Sequence, residues 1–463
     1  MKIAFAASEV FPFAKTGGLA DVTGALPLVL EEAGAEIVIV MPGYSCVKES
    51  GNKLERVLGD ISRSLTGKNI AAYFIEHQRY FGRSGLYQDG NADYEDNARR
   101  FAYYCDRTLR LLKEIDFKPD VIHLHDWQTA LIPVYLRKRY AADAWFSTIR
   151  TLLTIHNLGY QGIFPREQYD ALHLPPAFFS VEGVEFYGRV NLLKGGIMTA
   201  DLINTVSPTY AREIQTPVLG FGLEQVLAQR GDRISGILNG LDYNLWNPET
   251  DPVIARPYSL DEIEKKAVNK EELQRACGLP GVPGVPLLGM VSRLAGQKGI
   301  DLILESLEEI EPLGVQMVIF GIGEPQYHTR LEQAVKRFGD MLSVRIGFDD
   351  DFARSVYAGS DLFLMPSEYE PCGLGQMISM RYGSLPIVFE TGGLADTVDG
   401  NNGFLFREYS ASAFTQAVRT AVMAFHDKDK WRTLVGNAMS CRFDWQVSAR
   451  KYLQLYERVS VGG

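Results

Sequence analysis

The chain has 463 residues, of which 46% are hydrophobic and 22% charged, and its formal net charge is −10. At ~150 residues per domain, this length predicts two or three domains, and the composition is that of a soluble globular protein rather than a disordered or coiled-coil chain. The acidic balance argues against a nucleic-acid partner or an anionic membrane, because both bind to a basic face. An anionic substrate would therefore need a local cluster of cations.

The cysteines and the N-terminus indicate the compartment. The five cysteines are widely spaced and form no CxxC pair, so neither a disulfide framework nor a zinc cage is expected. No apolar run approaches the ~18 residues that cross a bilayer, and the run at 3–7 is too short for a signal peptide. We therefore expect a cytoplasmic protein.

Short β-branched runs alternate with longer helical stretches along the chain, and the pattern occurs twice. It predicts parallel sheets covered by helices on both faces. The predicted strands are 2–6, 37–41, 120–125, 150–155 and 202–206 in the first half, and 287–291, 315–320, 343–346, 361–365, 386–389 and 404–406 in the second. A segment rich in Pro, Asn and Asp separates the halves, which predicts domains over 1–240 and 251–444 with a linker or hinge over 241–250.

The hexapeptide TGGLAD occurs at 16–21 and again at 391–396. Each copy is predicted to open a helix, where two glycines let backbone N–H groups approach an anion. A single copy would favour a simple glycine-permitted turn. Two identical copies, one in each predicted domain, favour an anion held between the two domains.

Polar residues follow the carboxyl ends of the predicted strands, where open α/β sheets bind ligands. Arg293 and Lys298 lie five residues apart on one such loop, a pairing suited to a diphosphate. Most basic pairs are merely exposed, but the position of this loop and the acidity of the chain favour binding. Lys15, beside the first Gly-Gly, would add a third cation.

Glu370 follows the strand predicted at 361–365, two residues after Glu368, so that both carboxylates would face the same way in an extended loop. Glu370 could contact a sugar or balance positive charge that develops on a sugar carbon, or it could cap the following helix; the residues leave both open. Cys372 is expected to be a packed thiol rather than a nucleophile.

Three histidines follow or lie in predicted strands. His123 and His125 share one side of a strand and could bind a metal, but no third ligand is evident, so a structural or substrate-orienting role is favoured. His156 lies at a strand end before a glycine-punctuated loop and is a candidate for sugar contact. The GIG turn at 321–323 lacks a third glycine, which argues against a nicotinamide-dependent dehydrogenase.

Several blocks together resemble the signatures of bacterial glycogen synthases and plant starch synthases. The blocks are KTGGLADV at 15–22, HDWQ at 125–128, HNLGYQG at 156–162, NLLKGGI at 191–197, NGLD at 239–242, SRL at 292–294, EPCGL at 370–374 and TGGL at 391–394. They occur in the family's order along the whole chain. The resemblance implies a GT-B fold, in which two Rossmann-like, doubly wound parallel-sheet domains face a deep cleft. It also implies an acceptor-side first domain, a nucleotide-sugar second domain and a last helix, 445–463, that returns to the first.

The resemblance further implies transfer of glucose from ADP-glucose to the non-reducing end of an α-1,4-glucan such as glycogen, with retention of configuration and without a metal or other cofactor. It assigns catalytic roles to Glu370, His156, Asp126, Arg293 and Lys298. It assigns donor binding to Lys15, Gly17, Gly18, Arg293, Lys298, Glu370, Cys372, Gly373, Leu374, Thr391, Gly392 and Gly393. Glu9, Asp21 and Asn239 are further candidates.

The chain departs from the family pattern at Phe389-Glu390, where many relatives have an Arg before the second TGGL. Because no plant transit peptide precedes Met1, we expect a bacterial, cytoplasmic enzyme. Two alternatives stay open, a transferase that uses a UDP-sugar and a catalytically inactive glucan-binding relative. The presence of all six key residues argues against the second: Lys15, Asp126, His156, Arg293, Lys298 and Glu370. The sequence does not indicate an oligomeric state.

Overall fold

The structure is a computed structural model that describes residues 1–49, 51–90 and 92–461. These residues form two compact units, one comprising Met1–Gly240 with the last helix and the other Leu241–Asp444. Within the described ranges, no helix is both long and apolar enough to cross a membrane.

The main sheet of the first unit is built around buried strands with helices packed against them. The strands of this unit are β1 (Lys2–Ala6), β2 (Glu36–Pro42), β3 (Glu55–Leu58), β4 (Ile61–Thr66), β5 (Ile70–Ile75), β6 (Gln88–Asp89), β7 (Ala92–Asp93), β8 (Val121–His125), β9 (Arg150–Ile155), β10 (Ile163–Phe164), β11 (Glu185–Phe186), β12 (Arg189–Asn191), β13 (Leu202–Thr205) and β14 (Ile234–Gly236). The order in the main sheet is β14-β13-β9-β8-β1-β2-β5-β4-β3. The central strand β1 pairs in parallel with β2 and β8, and its last four residues are buried.

One edge of this sheet differs from the parallel arrangement that the sequence predicts. β3, β4 and β5 pair antiparallel. Only Gly59 and Asp60 connect β3 to β4, and a link that short cannot form the crossover that parallel strands need. The predicted strands themselves are confirmed, with ends within one residue of those in the structure.

Helices cover the first sheet, and the last helix of the chain is one of them. The helices of this unit are α1 (Gly18–Glu32), α2 (Ser45–Glu49), α3 (Gln78–Phe81), α4 (Asn97–Glu114), α5 (Leu131–Lys138), α6 (Leu192–Thr199), α7 (Pro208–Glu213), α8 (Glu224–Ala228) and α17 (Trp445–Val461). On α17, Tyr456 OH lies 2.8 Å from His123 Nδ1, and Tyr452 OH accepts from Asn204 Nδ2 over 3.0 Å. These buried polar contacts join α17 to β8 and β13. The final residues, 462–463, lie outside the described ranges.

The second unit is a parallel sheet with helices packed on it. Its strands are β15 (Leu287–Val291), β16 (Gln316–Gly321), β17 (Leu342–Ile346), β18 (Leu362–Met365), β19 (Leu385–Phe389) and β20 (Phe404–Phe406), in the order β17-β16-β15-β18-β19-β20. Its helices are α9 (Lys266–Ala276), α10 (Ile300–Ile310), α11 (Pro325–Phe338), α12 (Asp350–Gly359), α13 (Gly375–Arg381), α14 (Gly392–Thr397), α15 (Ala411–His426) and α16 (Lys428–Ser440). Buried apolar runs such as LLGM in β15 explain why the parallel pattern was visible in the sequence.

The segment 241–250, which the sequence predicts to be a linker or hinge, lies within the second unit. Arg381 Nη2 donates to Asn247 Oδ1 over 2.6 Å, and the next residue after the segment, Asp251, accepts from Arg354 over 3.0 Å. The polar residues that resemble a linker in sequence therefore serve as hydrogen-bonding partners of that unit's helices.

Candidate active site

A pocket of about 170 Å³ opens at the carboxyl edge of the second unit's sheet. The loop after β15 contributes Arg293 and Lys298 to it, and the loop after β18 contributes Glu370. Lys298 Nζ lies 2.5 Å from Glu370 Oε2, and the two side chains are only 19% and 11% exposed. Arg293 is exposed, and its guanidinium forms no ion pair with the described residues. The pocket thus presents one cation that is paired with a carboxylate and one that is free to bind an anion.

Backbone contacts bring the two loops of this pocket together. The N–H of Glu368 donates to the carbonyl of Gln297 over 2.9 Å. Gly299 has a φ of +74°, and a Cβ there would lie 2.1 Å from the Pro366 carbonyl oxygen. Because only glycine tolerates both that conformation and that approach, it permits the contact between the loops that places the lysine beside the carboxylate.

The second TGGL segment packs against the loop that carries Glu370. A Cβ on Gly392 would lie 2.0 Å from the Glu370 carbonyl oxygen, and one on Gly393 would lie 2.0 Å from that of Cys372. The N–H of Gly393 donates to the Glu370 carbonyl over 3.0 Å. This N–H is therefore already used within the protein, and anion binding at the second Gly-Gly turn stays a prediction. The glycines allow close packing that supports the glutamate loop.

The first TGGL turn, in the other unit, is open but already holds a carboxylate. Glu9 is buried, and its Oε2 accepts from the N–H of Thr16 and, over 3.3 Å, from the N–H of Gly17. Tyr87 OH donates to Glu9 Oε1 over 2.7 Å. A Cβ on Gly17 or Gly18 would meet no atom within 4 Å, so there is free space beside this turn. The two TGGL copies thus have different local roles.

Asp126 and His156 form a polar cluster with His125 at the ends of β8 and β9. Asp126 has a left-handed backbone with a φ of +58°, and its Oδ1 accepts from the N–H of His156 over 2.7 Å. Burial raises the pKa of Asp126 to about 7 and lowers the pKa of His156 to about 3. His156 is therefore neutral at pH 7, with its Nε2 3.0 Å from Nδ1 of His125.

Comparison with known proteins identifies the family. A model of the starch synthase catalytic domain matches residues 2–229, and a model of group 1 glycosyl transferases matches 285–423. The chain is 47% identical to the glycogen synthase of Geotalea uraniireducens, with 98% of each chain covered. It is also 47% identical to that of Syntrophotalea carbinolica, with 99% of each chain covered. The chain belongs to the glycogen synthase and starch synthase family.

A solved structure supports the same assignment for this synthase. The catalytic domain of starch synthase IV from Arabidopsis thaliana, bound to ADP and acarbose, matches with a TM-score of 0.88 at 33% identity and 99% coverage of both chains. The sucrose-phosphate synthase of Thermosynechococcus elongatus matches at 19% identity with a TM-score of 0.64, which shows the fold alone. The resemblance read from the motif blocks is confirmed, as are the GT-B fold class and the classification as a glucosyltransferase.

The structure places the predicted site residues of the synthase in two groups, one in each unit. Those that line the pocket of the second unit are Arg293, Lys298, Glu370, Gly373 and Leu374. Those buried in the same unit without lining that pocket are Cys372, Thr391, Gly392 and Gly393. Those of the first unit are Glu9, Lys15, Gly17, Gly18, Asp21, Asp126, His156 and Asn239.

Contacts and burial describe the surroundings of four of the residues singled out in the sequence: Lys15, Asn239, Glu368 and Glu370. Lys15 Nζ lies 2.7 Å from Asp21 Oδ1, so the third predicted cation has a carboxylate partner. Asn239 is buried, and its Oδ1 has no hydrogen-bond partner among the described residues. Glu368 is exposed whereas Glu370 is buried, so the expectation that both carboxylates face the same way is wrong. Of the two carboxylates, that of Glu370 lines the pocket and that of Glu368 does not.

Both ring nitrogens of His123 have hydrogen-bond partners within the protein, which indicates a structural role. Its Nδ1 lies 2.8 Å from Tyr456 OH and its Nε2 lies 2.7 Å from Thr154 Oγ1, so neither nitrogen is available to a metal. Over the ranges that the structure describes, no three His, Cys, Asp or Glu side chains are grouped to hold a metal ion.

Sequence reasoning missed Tyr87, which binds Glu9 from a distant loop and has no local signal in the sequence.

Proposed function

We propose that the enzyme transfers glucose from ADP-glucose to the 4-hydroxyl group at the non-reducing end of an α-1,4-glucan, and that the α configuration is retained. The observation that carries this proposal is the Lys298–Glu370 ion pair beside the unpaired Arg293 in one small pocket. The ADP in the matched starch synthase IV structure and the name glycogen synthase among the relatives support the choice of donor and acceptor.

Arg293 and Lys298 are assigned to the leaving diphosphate. As the bond between the sugar carbon and the phosphate oxygen breaks, negative charge grows on that oxygen. The free guanidinium can bind it in a bidentate manner, and the ammonium group supplies a second positive charge. Lys298, which Glu370 already holds in place, stabilises this developing charge at little reorganisation cost.

Glu370 is assigned to the glucosyl group as an electrostatic partner rather than as a nucleophile. Its Oε2 is held by Lys298, which lowers the electron density that a nucleophilic oxygen would need. We therefore propose attack on the sugar carbon by the acceptor hydroxyl from the side of the leaving group. The new bond forms to the acceptor oxygen as the bond to phosphate breaks, and the hydroxyl proton passes to the departing phosphate oxygen. Accumulation of a glucosyl adduct on Glu370, detectable by mass spectrometry, would contradict this route.

In the first unit, His156 and Asp126 are assigned to sugar orientation. His156 is neutral because burial lowers its pKa to about 3, so it can donate or accept a hydrogen bond but cannot supply positive charge. Asp126 holds the backbone of His156 and so fixes where the imidazole lies. The open space beside Gly17 and Gly18 is assigned to the donor phosphates, with Lys15 as their cation.

The proposal includes no metal or other cofactor, because Arg293 and Lys298 supply the positive charge that the leaving group needs. It places the first unit on the acceptor side, the second on the nucleotide-sugar side, and the enzyme in the cytoplasm. The cysteines of the described chain are free, which fits a reducing compartment.

The direct test is to incubate the purified enzyme with glycogen and radiolabelled ADP-glucose, or UDP-glucose in a parallel reaction, and to measure label in the polymer. We expect incorporation from ADP-glucose that greatly exceeds that from UDP-glucose. Preferential use of UDP-glucose would replace the proposed donor. Incorporation from neither would reject catalysis and favour a glucan-binding role.

A further inference from the structure

His125 is buried in an unusual polar setting. Its Nδ1 lies 3.0 Å from Nε2 of His156, while its Nε2 has no hydrogen-bond partner among the described residues. The ring of Phe5 stacks on it with an interplanar angle of 15°, and the ring of His123 lies 4.2 Å away. A buried polar atom without a partner costs stability, so such an atom calls for an explanation.

The proton between the two rings can belong to either histidine. Burial lowers the pKa of both, so both rings are neutral and each carries one proton. If His156 donated, the proton of His125 would sit on Nε2 and form a buried, unpaired N–H group. If His125 donates from Nδ1, its Nε2 is only an unpaired acceptor. Among backbone groups, orphaned buried N–H donors are rarer than under-satisfied acceptors, and the same preference applied to the imidazole favours the second arrangement.

If His125 is the donor, the protonation state of the second ring nitrogen of His156, Nδ1, follows. With Nε2 accepting from His125, the single proton of neutral His156 must sit on Nδ1. That nitrogen makes no hydrogen bond with the described residues, and it is not among the fully buried atoms that lack a partner. An N–H donor is therefore open to a ligand at this position.

We propose that His125 is a positioning residue that fixes the tautomer of His156, so that His156 presents an Nδ1–H donor to an oxygen of the substrate. This inference rests on the proposed assignment of His156 to sugar orientation. Phe5 and His123 restrict rotation of the His125 ring, and the backbone bond to Asp126 restricts His156, so the donor keeps its direction. The tautomer of a catalytic-site histidine is commonly set by the bond that its other nitrogen makes.

The first test is nitrogen NMR of the full-length enzyme labelled with 15N-histidine, which distinguishes protonated from bare ring nitrogens. The signals of His156 are assigned by their loss in His156→Gln. We expect His156 to be protonated on Nδ1 in the wild-type protein. A proton on Nε2 would overturn the proposal whatever the activity, so this result is independent of whether ADP-glucose is the donor.

The second test compares two replacements of His125. Asn places an amide N–H near the position of Nδ1, whereas Phe keeps a ring but removes both nitrogens. We expect His125→Phe to lower kcat about 10–100-fold with little change in the KM for ADP-glucose, and to shift the His156 proton toward Nε2. His125→Asn should retain most of kcat and the wild-type tautomer.

Equal losses of kcat in the two variants, or a wild-type rate in His125→Phe, would overturn the positioning role. If His125→Phe does not fold, the wild-type tautomer and the His125→Asn variant still decide the question. An Asn variant that folds normally but has a mixed His156 tautomer and wild-type kcat would also refute it.

Discussion

Removing Lys298 should show what its ion pair with Glu370 contributes to stability and what its charge contributes to turnover, because the two effects can be measured separately. Its Nζ lies 2.5 Å from Glu370 Oε2, and both side chains are mostly shielded from water. Lys298→Ala leaves a carboxylate with little solvent and no partner. Breaking fully buried pairs costs about 3–5 kcal/mol; allowing for the remaining exposure here, we expect the free energy of unfolding to fall by about 2–3 kcal/mol.

The same substitution should lower kcat about a hundredfold or more, since it removes a charge that we propose stabilises the leaving diphosphate. Adding Glu370→Gln to Lys298→Ala removes the stranded carboxylate, so the double variant should regain most of the stability but none of the activity. Urea unfolding and initial rates measure the two effects separately. A matched control is Lys2→Ala, which breaks an exposed pair with Glu36 and should change stability by less than about 1 kcal/mol.

Two results would refute this reasoning. If Lys298→Ala is as stable as the wild type, the ion pair is not a significant native contact. If the double variant is no more stable than Lys298→Ala, the loss comes from packing of the lysine stem rather than from the unpaired carboxylate.

The remaining predictions concern the first unit and the two glycine turns. Because the pKa of Asp126 is raised from 3.8 to about 7, its contribution to stability is largest below pH 4 and is lost as the pH rises to 7. The stability of the wild type relative to Asp126→Asn should therefore fall by roughly 4 kcal/mol at most over that interval in urea titrations; a constant difference would show that Asp126 titrates normally. Gly393→Ala places a Cβ 2.0 Å from the Cys372 carbonyl oxygen and should lower both Tm and kcat, whereas the control Gly400→Ala meets no atom within 4 Å and should change neither. Gly17→Ala should fold normally but raise the KM for ADP-glucose several-fold, since its methyl group enters open space assigned to phosphate; an unchanged KM would remove that assignment.

Much of the fold could be predicted because the central strands are buried on both faces. The runs at 2–6 and 287–291 are almost wholly apolar, and each coincides with a strand of the structure. The antiparallel edge was missed because β3, with the sequence ERVL, is short and mostly exposed, and it shows neither a buried apolar run nor an alternation of polar and apolar residues. Its pairing depends on the short connection to β4, and periodicity does not reveal such a connection.

The candidate site could be predicted as a set of residues but not as a set of contacts. The motif blocks indicated Arg293, Lys298 and Glu370, yet nothing in the sequence showed that the lysine pairs with the glutamate while the arginine stays free. The identical TGGL copies suggested identical roles. Their roles differ because their surroundings differ. The second copy packs against the Glu370 loop, whereas the first holds the carboxylate of Glu9.

The most direct test of the central claim, that the cations of the pocket stabilise the departing diphosphate, is the initial rate of glucose transfer from ADP-glucose into glycogen by Arg293→Ala. Arg293 is exposed and forms no ion pair with the described residues, so its removal should leave the unfolding free energy unchanged. We expect kcat to fall about a hundredfold or more while Tm stays at the wild-type value. A folded Arg293→Ala enzyme with a wild-type rate would contradict the account.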